Sequence, residues 1–382
     1  MFRLILAVTL CLLIVGCTNI AYYAQAVKGQ IRLMAAARPI PKVVNDAATD
    51  TGLRQQLERA IAIREFASRE LALPNNGSYR SYSDLGRPFV VWNVFAAPEF
   101  SVETQQWCML FIGCVNYRGY YDKNAADLYA GELMQAGADT YVGGVTAYST
   151  LGYFNDPMLN TFMRFGDQEV ARIIFHELAH QLVYAKDDSA FNESFATTVE
   201  NEGMHRWLTQ LAAPERLRDF AAQQERKAQF YRLVADSRDK LRAIYASSLA
   251  PDAKRRAKTE VIAEMKRIYA DLKASWGGYS GYDQWFNQPL NNAALGSVTL
   301  YTQWAPAFRA LLEQEGGSLP RFYLRVAALA NLPKTERSAA LDRLLPGRTA
   351  SSKPTPCPNL DSFIASCIRL EPDGKQSFTK GS

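Results

Sequence analysis

The sequence predicts an α+β fold, predominantly helical. A small mixed β-sheet layer is expected to pack on a helix carrying two histidines and on a following glutamate-bearing helix, with a helical C-terminal part. Three observations predict this. Runs rich in good helix formers, such as QQLERAIAIREFASREL, dominate both sides of the chain. Strand-like runs are short and confined to residues 87–154. In FHELAH, His176 and His180 stand four residues apart, about one helical turn.

Apolar residues make up 48% of the chain and charged residues 21%, the balance of a folded globular protein rather than a disordered one. A net charge of +5, with Lys and Arg interleaved among Asp and Glu, provides no nucleic-acid stripe. It supports only a modest attraction to anionic membrane surfaces.

The chain opens MFRLILAVTLCLLIVGC. Its apolar run, Leu4 to Val15, is too short to span a bilayer, so residues 1–16 read as a processed leader. Ile14-Val15-Gly16-Cys17 resembles a bacterial lipobox, which implies that Cys17 becomes a lipidated N-terminus holding the protein at a membrane. Thr18, in place of an Asp, favours the outer membrane, with the protein facing the periplasm. Cys108, Cys114, Cys357 and Cys367 then remain as two close pairs in an oxidising compartment. They suggest two local disulfides, although three pairings are possible.

The elements follow in order. Residues 17–74 read as N-terminal helices, with Leu53, Leu57, Ile61, Ile63 and Phe66 forming a stripe. Asn75 to Ser78 breaks them. Residues 75–211 read as an α/β core, with strand-rich runs at Arg87–Ala97, Trp107–Tyr121 and Asp139–Phe154 and a helix over Asn124–Gln135. The His-bearing helix starts at Asp167 as N-cap and runs to about Ala185. After Lys186 to Ser189 a second helix runs from Asn192 to about Leu211. Residues 212–276 read as a charged helical hairpin broken near Pro251, residues 277–345 as further helices, and residues 346–382 as a loop-rich tail.

On one helix, His176 and His180 can aim ring nitrogens at a single point, with Glu177 beside it. That is the arrangement of zinc-dependent hydrolysis: two imidazoles hold the ion and a neighbouring carboxylate takes a proton from activated water. A catalytic zinc needs a third protein ligand and an open position. The longer HExxHxxGxxH pattern fails at Val183 and Lys186, so a carboxylate is required, and Glu193 is the best candidate. Glu200, two turns on, is either an alternative ligand or the partner of one; Glu202 projects elsewhere, and His205 is far along its helix.

HELAHQ followed by N-E-x-F-A (Asn192 to Ala196) resembles the paired signature of the gluzincin metallopeptidases. More closely, YYAQAVKGQ, NNGSYRSY, VVWNVFAAPEFS, YVGGVTAYSTLGYFNDP and HELAHQLVYAKDDSAFNESFAT resemble a family of predicted aminopeptidases found as bacterial lipoproteins. The resemblance implies one zinc ion on His176, His180 and Glu193, Glu177 as general base, and a peptide or protein substrate. It spans Cys17 to about Leu345, and implies one metallopeptidase domain over 17–345. The G-x-M-E-N segment that binds a substrate amine in the large zinc aminopeptidases is absent; the strand in its place reads YVGGVTAYS. There Gly143-Gly144 could let an extended peptide approach an exposed edge. Tyr301, Tyr148 and Tyr184 are candidates for stabilising the tetrahedral intermediate. The alternative function is a non-catalytic envelope lipoprotein that binds a peptide or protein partner, with a structural or vestigial zinc site.

Overall fold

A computed structural model describes residues 22–109, 113–147, 149–299 and 303–345. Cys17, Tyr148, Tyr301, Cys357, Cys367 and the whole tail 346–382 lie outside the described residues. The fold is α+β and predominantly helical, as expected.

Helix α1 covers residues 22–35, followed by strand β1 (Arg38–Pro39), α2 (Ile40–Val44) and α3 (Thr51–Glu70). The Asp50 side chain accepts the Leu53 N–H, capping α3 and satisfying one of its orphan donors. The predicted stripe buries Leu57, Ile63 and Phe66 against α6 (Asp167–His180), where Phe66 meets Phe175 at 5.8 Å between ring centroids. Burying each such side chain contributes ~1.5–3 kcal/mol, enough to fix the position of the helix behind it. Arg64, fully buried, donates to the carbonyls of Pro74 and Ser78 and so pins the 74–78 break against α3.

The expected single β layer divides. Strands β2 (Ser81–Ser83) and β8 (Met158–Leu159) are parallel and join β1 in one three-stranded sheet. In the other, β3 (Val91–Pro98) lies between β6 (Arg118–Tyr120) and β7 (Ala138–Val145), all antiparallel. Strands β4 (Trp107–Met109) and β5 (Gly113–Val115) form a separate hairpin. There Cys108 pairs opposite Cys114, and the two form a disulfide. Alternation along β3 explains how the sheet is covered. Trp92 and Val94 pack with Ala126 and Ala130 of α4 (Lys123–Gln135), whereas Phe95 and Ala97 pack with Ala293 of α11 (Asn292–Thr299).

After the short α5 (Asn160–Met163) come α6 (Asp167–His180) and α7 (Ser189–Gln210). Asp167 is the first helical residue rather than the N-cap, which is Gly166 at φ 88°, a left-handed conformation that glycine adopts without strain. Helix α6 ends at His180 instead of continuing to Ala185. The reason is a side-chain clamp: Asn192 accepts the Ala185 N–H and donates to the Ala185 carbonyl, replacing helical hydrogen bonds. Where the two helices pack, Gly203 of α7 leaves room for Leu71 and Phe175, both of which an added Cβ would meet at 2.7 Å.

Helices α8 (Pro214–Ala246) and α9 (Pro251–Ser275) form the expected hairpin, with Pro251 at the first turn of α9. Phe230, Leu233 and Leu241 of α8 pack with Met265 and Tyr269 of α9 and with Phe286 of α10 (Asp283–Phe286). Helices α12 (Ala305–Gln314), α13 (Leu319–Ala330) and α14 (Lys334–Asp342) back α7. Phe308 and Phe322 lie against Phe195 there. Arg337 of α14 makes a buried ion pair with Asp188 at 2.9 Å, and Asp188 also caps α7. No helix among the described residues is long and apolar enough to cross a membrane.

Candidate metal centre

Helices α6 and α7 run antiparallel: His180 faces Glu193, His176 faces both Glu193 and Glu200, and Arg172 faces Glu200. The tight turn from Gln181 to Asp188 makes this possible, and it is fastened from two sides. Gln181 accepts from Asn76 and donates to Ser78, and the Cys114 N–H of the β4–β5 hairpin donates to Asp187.

The result is a convergence of donor atoms. His176 Nε2 lies 3.2 Å from His180 Nε2 and 3.2 Å from a Glu193 oxygen, and His180 Nε2 lies 3.6 Å from the other Glu193 oxygen. These three side chains could hold a metal ion. Ligands bound at about 2.0–2.1 Å around a tetrahedral zinc are about 3.3 Å apart, so the spacing fits that ion. The chemistry fits too. His176 Nδ1 donates to Glu200 Oε2 at 2.9 Å, so that whenever the ring is neutral its lone pair is on Nε2. Lone pairs facing one another at this range require a cation or a proton between them. Burial alone would lower the affinity of His176 for a proton, but Glu193 and Glu200 outweigh it and raise its pKa to about 10. Burial would also raise Glu193, yet His180 and His176 hold it well below the usual carboxylate range.

Glu200 lies outside the cluster of His176, His180 and Glu193. Its oxygens are engaged by His176 and by Arg172 Nη1 at 3.2 Å, so it orients a candidate ligand rather than joining the cluster. Arg172 is in turn clamped by both oxygens of Glu169. Burial would push Glu200 up, but Arg172, then Lys227 and His176, hold its carboxyl well down. This chain fixes the His176 tautomer. Replacing Glu200 by Gln is expected to lower zinc affinity ~10–100-fold with the fold intact, measured by competition with a chromogenic chelator. Unchanged affinity would sink this positioning role. His180 is held by burial instead, its Nδ1 enclosed without a partner among the described residues.

Glu177 lines the same cavity, about 580 Å³ in volume, and has no hydrogen-bond partner among the described residues. Burial raises its pKa, the two histidines oppose this, and Glu193 adds to the rise. A carboxylate so placed can accept a proton and release it again. Glu202 pairs with Arg206 at 2.7 Å, away from the cluster, and His205 is exposed.

Of the tyrosines predicted from sequence, Tyr184 lines the cavity; Tyr148 and Tyr301 lie outside the described residues. Tyr117, between β5 and β6, also lines it. Burial first, and then Glu193, raises both Tyr117 and Tyr184, so each phenol keeps its proton and can donate. Strand β7, with Gly143 and Gly144, is an edge of its sheet; Gly144 makes room for the Phe89 ring, whose carbons an added Cβ would meet at 2.4 Å. The cavity wall is formed beyond it, by Val145, Thr146 and Ala147.

Arg172 was missed in the sequence, although its place one turn before His176 could have flagged it. Tyr117, Asn192 as a clamp and Lys227, which also lines the cavity, carried no local signal.

The family described as "Putative aminopeptidase" matches residues 21–341 of the chain. No curated protein and no solved structure matches it.

Proposed function

Since the chain belongs to this aminopeptidase family, we propose that it is a zinc-dependent peptidase of the gluzincin type. His176, His180 and Glu193 hold the metal and Glu177 is the general base. The observation that carries the reading is the 3.2–3.6 Å spacing of three electron-pair donors beside a carboxylate with no partner of its own. Bound there, zinc supplies a Lewis acid that polarises the scissile carbonyl and acidifies water.

The chain's own residues do the rest. Glu177 takes a proton from the attacking water as its oxygen adds to the carbonyl carbon. It then passes the proton to the departing nitrogen as the C–N bond breaks, giving a carboxylate and an amine. A carboxylate whose pKa burial raises is a stronger base, and so takes the proton from water more readily than one held in water would. Tyr117 and Tyr184 offer neutral O–H donors to the carbonyl oxygen as it gains negative charge. Residues 1–16 are removed, and Cys17 is acylated and anchors the enzyme at the bacterial outer membrane, facing the periplasm.

The test is metal dependence. Purified protein is expected to carry one zinc ion, to lose peptide hydrolysis on dialysis against a chelator, and to regain it with one equivalent of zinc. Stoichiometric zinc with no turnover of any peptide would favour the non-catalytic lipoprotein instead.

A further inference from the structure

Within this cavity, every acidic side chain among the described residues is already engaged. Glu193 belongs to the ligand cluster, Glu200 bonds His176 and Arg172, and Glu177 is the base. A substrate ammonium, which must find a carboxylate to offset its lost hydration, therefore has no side chain reserved for it among the described residues.

The cations are distributed differently. Arg172 is spent on Glu169 and Glu200. Lys227, reaching in from α8, is half-buried, and its ammonium sits 5.8 Å from the centroid of the Tyr231 ring. No carboxylate among the described residues lies within 4 Å of it, although its field reaches Glu200. A half-buried ammonium that, among the described residues, has an aromatic face but no carboxylate in contact gains from an incoming anion.

Resting on the peptidase reading, we infer that Lys227 makes this site selective for substrates that present a carboxylate, most directly the C-terminus of a short peptide. Lys227 lines the same cavity as His176, His180 and Glu193, so a carboxylate held by it lies in the space where the reacting bond must bind. Cleavage is then governed by the free C-terminus, and a blocked N-terminus is tolerated.

The experiment uses zinc-loaded full-length protein with Glu177→Gln, so that binding is read without turnover. Calorimetric titration compares one short peptide as free acid, as C-terminal amide and as N-acetylated free acid. Amidation is expected to weaken binding about tenfold to a hundredfold, the range for a charged hydrogen bond, and N-acetylation less than about twofold. Adding Lys227→Met should remove the preference for the acid, whereas Lys227→Arg should preserve it, which separates lost charge from lost packing. An amidated peptide with a Glu near its end that binds like the free acid, and depends on Lys227, supports the same chemistry with a side-chain source. Equal binding of acid and amide overturns the inference, as does a preference that survives Lys227→Met or loss of binding on N-acetylation. If hydrolysis by the unsubstituted enzyme persists in those cases, the peptidase reading stands; no binding and no hydrolysis of any peptide removes both.

Discussion

Glu177→Gln is expected to lower kcat by about 10²–10⁴, or roughly 3–5 kcal/mol of transition-state stabilisation, while zinc content stays at one equivalent. The substitution preserves the size and polarity of the side chain and removes only its ability to take and return a proton. Glu177 makes no hydrogen bond among the described residues, so no hydrogen bond there depends on its charge. Substrate affinity should therefore change little, placing the loss in kcat rather than KM. The neighbouring groups sharpen the contrast. His176 and His180 favour the ionised form of Glu177, and removing that charge should, if anything, weaken the cation site slightly. A variant that turns over peptides at the normal rate, with its metal in place, would show that another group moves the proton.

The local part of this site was legible because a helix is a ruler. A spacing of four sets His176 beside His180, and a run of seven from Glu193 to Glu200 sets two carboxylates on one face of α7. What spacing could not decide was which carboxylate joins the ligands, because that depends on the turn between the helices. The turn is tightened by Asn192 bonding both polar groups of Ala185, a contact between residues whose types do not announce it. The same clamp ends α6 early, against a propensity that would have carried it on. Tyr117 and Lys227 were out of reach for a different reason: they enter the cavity from β5–β6 and from α8, well separated from α6 in sequence. Only tertiary packing brings them in. The strand-rich region was recognised as such, yet its division into two small sheets and a disulfide-closed hairpin depends on partner choice, which alternation alone does not specify.

Glu193→Ala is expected to abolish activity and to lower zinc affinity by more than about 10², since disturbing a mere partner of a ligand already costs about 10–100-fold. The side chain supplies the one carboxylate in the candidate donor set, and its two oxygens lie 3.2 and 3.6 Å from the two imidazoles. Removing it leaves two nitrogens on one helix, too few to fix the ion. The fold should survive: the Glu193 side chain is 23% exposed, whereas that of Glu200 is 1% exposed and carries the buried contacts. Glu193→Asp separates charge from reach. It keeps the anion but withdraws it by about one methylene, roughly 1.5 Å, so electrostatic attraction for the cation persists while the 3.2 Å contact does not. If charge alone held the metal, Asp would behave like Glu; if direct ligation does, Asp should fall most of the way to Ala, as read by zinc competition titration. Full zinc affinity in Glu193→Ala would mean that the ion, if any, is held elsewhere, and the convergence of α6 and α7 would need another explanation.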